Sequence, residues 1–183
     1  MIDKVNILIK SGKGGSGSVS FRREKYIPKG GPDGGDGGRG GSISIQTDNG
    51  INTLIQFRYK KIFSAPNGLS GQGKNKQGAK GKDSVIYVPL GTQVWEHRKD
   101  ERVLIADLDH EKSLFTVAKG GRGGRGNTRF ATSTNRVPML AEEGEAGEEK
   151  EISLALKLLA DVGIMGIPNA GKSSLLTIST SAT

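Results

Sequence analysis

Apolar and polar residues alternate in short runs along most of the chain. The runs are KVNILI (4–9), SISIQT (42–47), SVIYVP (84–89), TQVWEH (92–97), RVLIAD (102–107) and SLFTVA (113–118). Alternation of this kind puts successive side chains on opposite sides of an extended backbone, the pattern of half-buried strands. EISLALKLL (151–159) is a further strand, with Ile152, Leu154, Leu156 and Leu158 on one face. Helix-period patterns are absent before residue 160. Short strands with turn residues between them predict a mainly β unit, a small barrel or sandwich.

Four glycine-rich stretches interrupt the strands: SGKGGSGS (11–18), KGGPDGGDGGRGG (29–41), GLSGQGKNKQGAKGK (68–82) and KGGRGGRGN (119–127). In two of them glycine recurs every third residue. Gly31, Gly34, Gly37 and Gly40 form one row, and Gly120, Gly123 and Gly126 form another. Three residues is the period of the left-handed polyproline II helix, which makes no internal hydrogen bonds. On such a helix two faces are bare backbone, and the third presents Asp33, Asp36 and Arg39, or Arg122 and Arg125. Bare faces let neighbouring backbones approach and bond sideways, so the returning clusters predict a packed bundle rather than a linker. The GGRGGRG unit lies well inside the chain and is only two repeats long, which disfavours a disordered RNA-binding tail. The looser 68–82 stretch could instead be a mobile loop. Asp33 and Asp36 are expected to be solubilising rather than cation ligands, and the acidic run EEGEAGEEKE (142–151) a solvated turn before the last strand, the alternative being a segment that fends off RNA on the side away from the basic surface.

Composition narrows the class. The 183 residues contain 29 glycines, no cysteine and 5% aromatic residues. Disulfides and cysteine-ligated metals are therefore excluded, and no spaced metal-ligand cluster appears. No run approaches the roughly 18 apolar residues of a membrane span. The N-terminus lacks a signal-peptide core, so a cytoplasmic chain is expected. The net charge of +8 is unevenly placed. Residues 1–82 carry 15 Lys and Arg against 5 Asp and Glu, and the remainder 12 against 14. A one-sided positive field attracts polyanions, nucleic acid foremost.

Near the C-terminus stands GIPNAGKSS (166–174), which fits the phosphate-loop pattern G-x-x-x-x-G-K-[ST]. Its residues are Gly166, Ile167, Pro168, Asn169, Ala170, Gly171, Lys172, Ser173 and Ser174. The glycines permit a tight turn whose N–H groups point at a β-phosphate. Lys172 is placed for the β- and γ-phosphates, and the Ser173 hydroxyl for Mg²⁺. LLADVGIMG reads as the preceding strand and GKSSLLTI as the start of the following helix. The domain reading is thus 1–158 for the glycine-rich unit and 159–183 for the first part of a nucleotide-binding domain. Only ten residues follow Ser173, so this chain is expected to be a piece of a longer protein and inactive by itself. Residues 160–183 are expected to be disordered or held by docking.

FRREKYIPKGGPDGGDGGRGG (21–41), FRYKKIFSAPNG (57–68), VAKGGRGGRGNTRFATSTN (117–135) and LADVGIMGIPNAGKSS (159–174) together resemble the Obg GTPases. The resemblance covers essentially the whole chain. It implies polyproline II helices packed above a small β-barrel. It implies a Mg²⁺-dependent GTPase, using GTP and GDP, that binds the large (50S) ribosomal subunit and its rRNA. Roles in subunit assembly and in growth and stress control follow from it, as does guanine specificity. The switch threonine, D-x-x-G and N-K-x-D motifs are expected beyond Thr183.

The RNA-contact candidates are the basic residues between the strands: Arg22, Arg23, Lys25 and Lys29, then Lys74, Lys76, Lys80 and Lys82, then Arg122, Arg125 and Arg129. Arg22, Arg23, Arg122 and Arg125 could instead brace the glycine bundle. No catalytic residue is assigned, and His97, His110 and Trp95 read as strand or turn residues. A monomer is expected. The competing readings are a stand-alone RNA-binding module and a protein-interaction scaffold, both without nucleotide chemistry.

Overall fold

A computed structural model describes residues 4–23, 30–98 and 101–157. Each alternating run forms a strand. They are β1 (Lys4–Lys10), β2 (Ile43–Thr47), β4 (Ser84–Val88), β5 (Thr92–Arg98), β6 (Glu101–Leu108), β7 (Leu114–Ala118) and β8 (Glu149–Leu156). Two elements lack a periodic signal because they are so short. They are a single helical turn, α1 (Gln56–Tyr59), and the edge strand β3 (Ile62–Ser64). A 3-10 turn spans Asn127–Phe130.

The strands form a five-stranded sheet, β3-β1-β8-β5-β6, and a three-stranded sheet, β4-β2-β7. The β1–β3 and β2–β4 pairs are parallel and the others antiparallel. Val5, Ile7 and Ile9 of β1, Ile152 and Leu154 of β8, and Val94 of β5 share one core with Ile43 and Ile45 of β2 and Ile86 and Val88 of β4. Leu54 and Phe57 from the α1 region join it. Of the barrel-or-sandwich expectation, the closed barrel is not formed. Both sheets keep two edge strands, and the core lies between their inner faces.

The glycine-rich segments leave this sandwich at one end. They follow β1, β3 and β7 and precede β2, β4 and β8, and the pairing directions bring those strand ends together. Six segments bond laterally, and along each pair the bonds recur every third residue. Gly12, Gly15 and Ser18 donate to Gly41, Gly38 and Gly35 at 2.8–3.0 Å. Gly121, Gly124 and Asn127 donate to Gly12, Gly15 and Ser18. Gly35, Gly38 and Gly41 donate to Gln72, Leu69 and Pro66. This three-residue bonding repeat is the one expected of extended threefold segments, whose amides must find partners on neighbours.

Three expectations are corrected by this packing. The 68–82 stretch is no unbonded loop: 66–72 and 76–82 are two bundle segments, joined by a turn in which Lys74 (φ 63°) and Asn75 (φ 57°) are left-handed. The acidic run is not a solvated turn either. Glu142 and Glu145 donate their backbone N–H to Arg125 and Arg122, while Gly14 and Gly17 donate to Glu145 and Glu142. Ala141, Gly144 and Gly147 repeat the period of three there, masked in the sequence by the charges between them. Finally, Asp33, Asp36 and Arg39 are tied side chains rather than a free solvated face. Asp33 is buried, Asp36 bonds Gly126 and Arg129, and Arg39 pairs with Asp83 at 3.0 Å.

Candidate nucleic-acid interface

The bundle ladder identifies its distal tip. Gly12 and Gly41 sit beside the sheets, and the bonds step outward to Ser18 and Gly35. At about 3.1 Å per residue, the nine steps from Ser11 to Ser20 reach about 28 Å beyond the strands. The tip comprises residues 18–23, Asp33, the 73–75 turn, Asn127–Arg129 and the loop leading to Pro138.

Asn127, fully buried, holds these pieces together. Its Oδ1 accepts from Gly34 N at 2.9 Å, while its Nδ2 donates to Ser20 O and Pro138 O. Asp36 is the second clamp, accepting from Gly126 N at 2.9 Å and from Arg129 Nε at 3.1 Å. The Gly126 bond foremost, assisted by Arg129, outweighs partial burial and holds the Asp36 carboxyl below the usual Asp range. Asp33 fixes the third piece: its Oδ2 accepts from Lys74 N and its backbone carbonyl from Asn75 N. Asp33 Oδ1 is buried without a hydrogen-bond partner. The tip is therefore pinned by three polar side chains, not by apolar packing.

A cavity of about 430 Å³ opens at this tip, lined by Arg22, Arg23, Asp33, Lys74 and Asn75. It brings together candidates from two sequence stretches, Arg22 and Arg23 with Lys74. Thr128 Oγ1 reaches Asn75 Oδ1 at 3.1 Å, which places Arg129 beside the same turn. Lys76, Lys80 and Lys82 continue from the turn along the 76–82 segment, all exposed. No carboxylate pairs with Lys74, Lys76, Lys80 or Lys82 among the described residues. Arg122 and Arg125 belong elsewhere. They lie against the acidic segment, where Arg125 Nε is 3.7 Å from Glu142 and Arg122 N donates to Glu145.

The bundle thus has a basic edge and an acidic edge. The 76–82 segment bonds to 33–41 and 66–72, whereas 141–148 bonds to 11–18 and 119–127. At the acidic edge Glu148 sits partly buried, which raises its pKa. The Lys119 amide and Lys150 more than offset this and hold the carboxyl below its ordinary range.

Comparison with known proteins places this chain in a family. The GTP1/OBG family model matches residues 2–158. The chain belongs to the GTP1/OBG family. The chain is 53% identical over 181 residues to the GTPase Obg of Thermodesulfovibrio yellowstonii, covering 99% of this chain and 53% of that relative. GTPase Obg of Geobacillus kaustophilus is 53% identical over 99% of this chain and 41% of its own length. GTPase Obg of Persephonella marina is 54% identical over 97% of this chain and 52% of its own. The chain spans about half the length of the curated relatives it matches.

Two groups of candidates fall outside the described residues: Lys25 and Lys29, and the phosphate loop Gly166–Ser174 with the Mg²⁺ candidate Ser173. Sequence reading missed the glycine-free loop 131–140, which the Asn127–Pro138 bond holds at the tip. It leaves Arg136, Val137, Met139 and Leu140 exposed. The signal was the apolar run VPML between polar stretches, with no strand or helix period to bury it. Among the described residues no three His, Cys, Asp or Glu side chains cluster as a metal site, and no helix is long and apolar enough to cross a membrane. His97 Nε2 contacts Ser153 Oγ, which donates to Asn6 Oδ1. Ser153 is 1% exposed, so this triplet cross-links β5, β8 and β1.

Proposed function

We propose that this chain is the rRNA-docking part of a GTP-binding protein that acts on the large ribosomal subunit during its assembly. The observation that carries the reading is the segregation of charge on a pinned scaffold. A lysine edge without carboxylate partners among the described residues ends in a tip with Arg22, Arg23 and Lys74, opposite an edge of glutamates. A polyanion is attracted to the first and repelled by the second. In this reading residues 1–158 dock and residues 159–183 begin the nucleotide domain. Gly166–Ser174 form the loop around the phosphates of GTP, with Lys172 on the β- and γ-phosphates and Ser173 on Mg²⁺. The longer protein, not this piece of it, carries out hydrolysis. The relatives' printed name, GTPase Obg, supports that assignment.

Cosedimentation with large ribosomal subunits tests the docking. The K74Q/K76Q/K80Q/K82Q chain is expected to bind at least tenfold more weakly at 0.15 M salt, and with a shallower salt dependence. The E142Q/E145Q chain is expected to bind at least as well as the native chain. Equal binding by the native and lysine-substituted chains would remove the basic edge from the interface.

A further inference from the structure

The sequence FRYKKI (57–62) carries charge that the tip does not use. Phe57 is 1% exposed in the core, with its ring 5.7 Å from that of Phe63. This anchors the single turn α1, and Tyr59, two residues on, points away and is 84% exposed. Lys60 lies over the Phe63 ring at 5.0 Å. Arg58 and Lys61 have no carboxylate partner among the described residues. They line a cavity of about 540 Å³ with Lys4, Val5 and Asn6 of β1. A neighbouring cavity shares Asn6 and Lys61 and ends at His97 and Glu151, which bounds the positive region.

Lys4 begins β1, whereas Lys10 at its other end feeds the bundle. The patch is therefore on the sandwich, at the opposite end of the molecule from the tip. β1 contributes about 20 Å at about 3.3 Å per residue, and the bundle about 28 Å. The Lys4 end of β1 and the tip are thus separated by roughly 48 Å.

We infer that Tyr59, Arg58, Lys61 and Lys4 form a second RNA site, one that takes single-stranded RNA. Three cations around one cavity, Lys4, Arg58 and Lys61, none with a carboxylate partner among the described residues, match consecutive phosphates. Tyr59, next to Arg58 in the α1 turn and exposed, offers the flat face on which an unpaired base stacks. The patch is independent of any base-specific pairing, so it recognises a strand rather than a sequence. The inference rests on the RNA-binding reading above, and the following test separates the two.

Binding of fluorescein-labelled U12 RNA by the full chain is measured by fluorescence anisotropy across a salt series. Tyr59→Ala is expected to weaken binding about tenfold, as loss of one stacked base does, while Tyr59→Phe stays within twofold. R58Q/K61Q is expected to weaken binding and to lower the log–log salt slope by about 1.4, two single-strand phosphate contacts. Thermal melts of these surface variants are expected to match the native chain. Affinities within twofold of native for both Tyr59→Ala and R58Q/K61Q would overturn this site alone, above all if K74Q/K76Q abolished binding. Absence of any U12 binding at low salt would overturn both this site and the RNA-binding reading.

Discussion

Individual residues set the geometry of the tip, and most of what they do is electrostatic. Asn127 offers two donors and an acceptor to three different segments, and it uses all three on backbone groups that would otherwise be buried unpaired. Asp36 acts through charge. Its folded-state pKa lies below the ordinary Asp value, so its stabilisation is fully present above that value. The stabilisation is lost as pH falls through the depressed one. Asp36→Asn is therefore expected to lower the melting temperature at pH 7. The gap to the native chain should close in strongly acidic buffer, below the usual Asp range. A gap of constant size from neutral to acidic pH would show that Asp36 acts by shape and not by charge. At this scale the sequence was half legible. The charged row Asp33, Asp36, Arg39 was readable from the period of three. The partners that bond or pair each member come from 74, 83, 126 and 129, far away in the chain.

Among the elements, strands were the easiest to read because a half-buried strand must alternate. All seven strands expected from alternation are present, with ends moved by a residue or a few. β3 and α1 were invisible, since three or four residues cannot display a period. The bundle segments were legible where glycine dominated and hidden where charge did. The acidic segment shows this best. An alanine Cβ at Gly144 would stand 1.9 Å from Gly14 O, a backbone atom that cannot rotate away. A Cβ at Gly31 would meet nothing within 4 Å among the described residues. Gly144→Ala is accordingly expected to cost about 3 kcal/mol, an overpacking penalty, and roughly 10 °C in melting temperature. Gly31→Ala should fall within about 0.5 kcal/mol of native. Equal melting temperatures for the two variants would return 142–148 to the status of a solvated turn.

For the whole molecule, the unusual feature is a long projection with little apolar packing standing on a small conventional core. Lateral backbone bonds replace side-chain packing in it, so charged residues can be arranged by edge without disturbing the interior. The overall charge bias was visible from composition. Its division into opposite edges was not, because Arg122 and Arg125 fall on the glutamate side while Lys74–Lys82 do not. The proposed role requires that RNA meet the lysine edge and the tip. Lysine acetylation of the chain, with and without large ribosomal subunits and read by mass spectrometry, tests this most directly. Lys74, Lys76 and Lys80 are expected to be protected several-fold on binding, with Lys112 in the β6–β7 turn and Lys119 beside the glutamate edge reacting as in the free chain. Protection of Lys112 or Lys119, with Lys74, Lys76 and Lys80 fully reactive in the bound state, would contradict it.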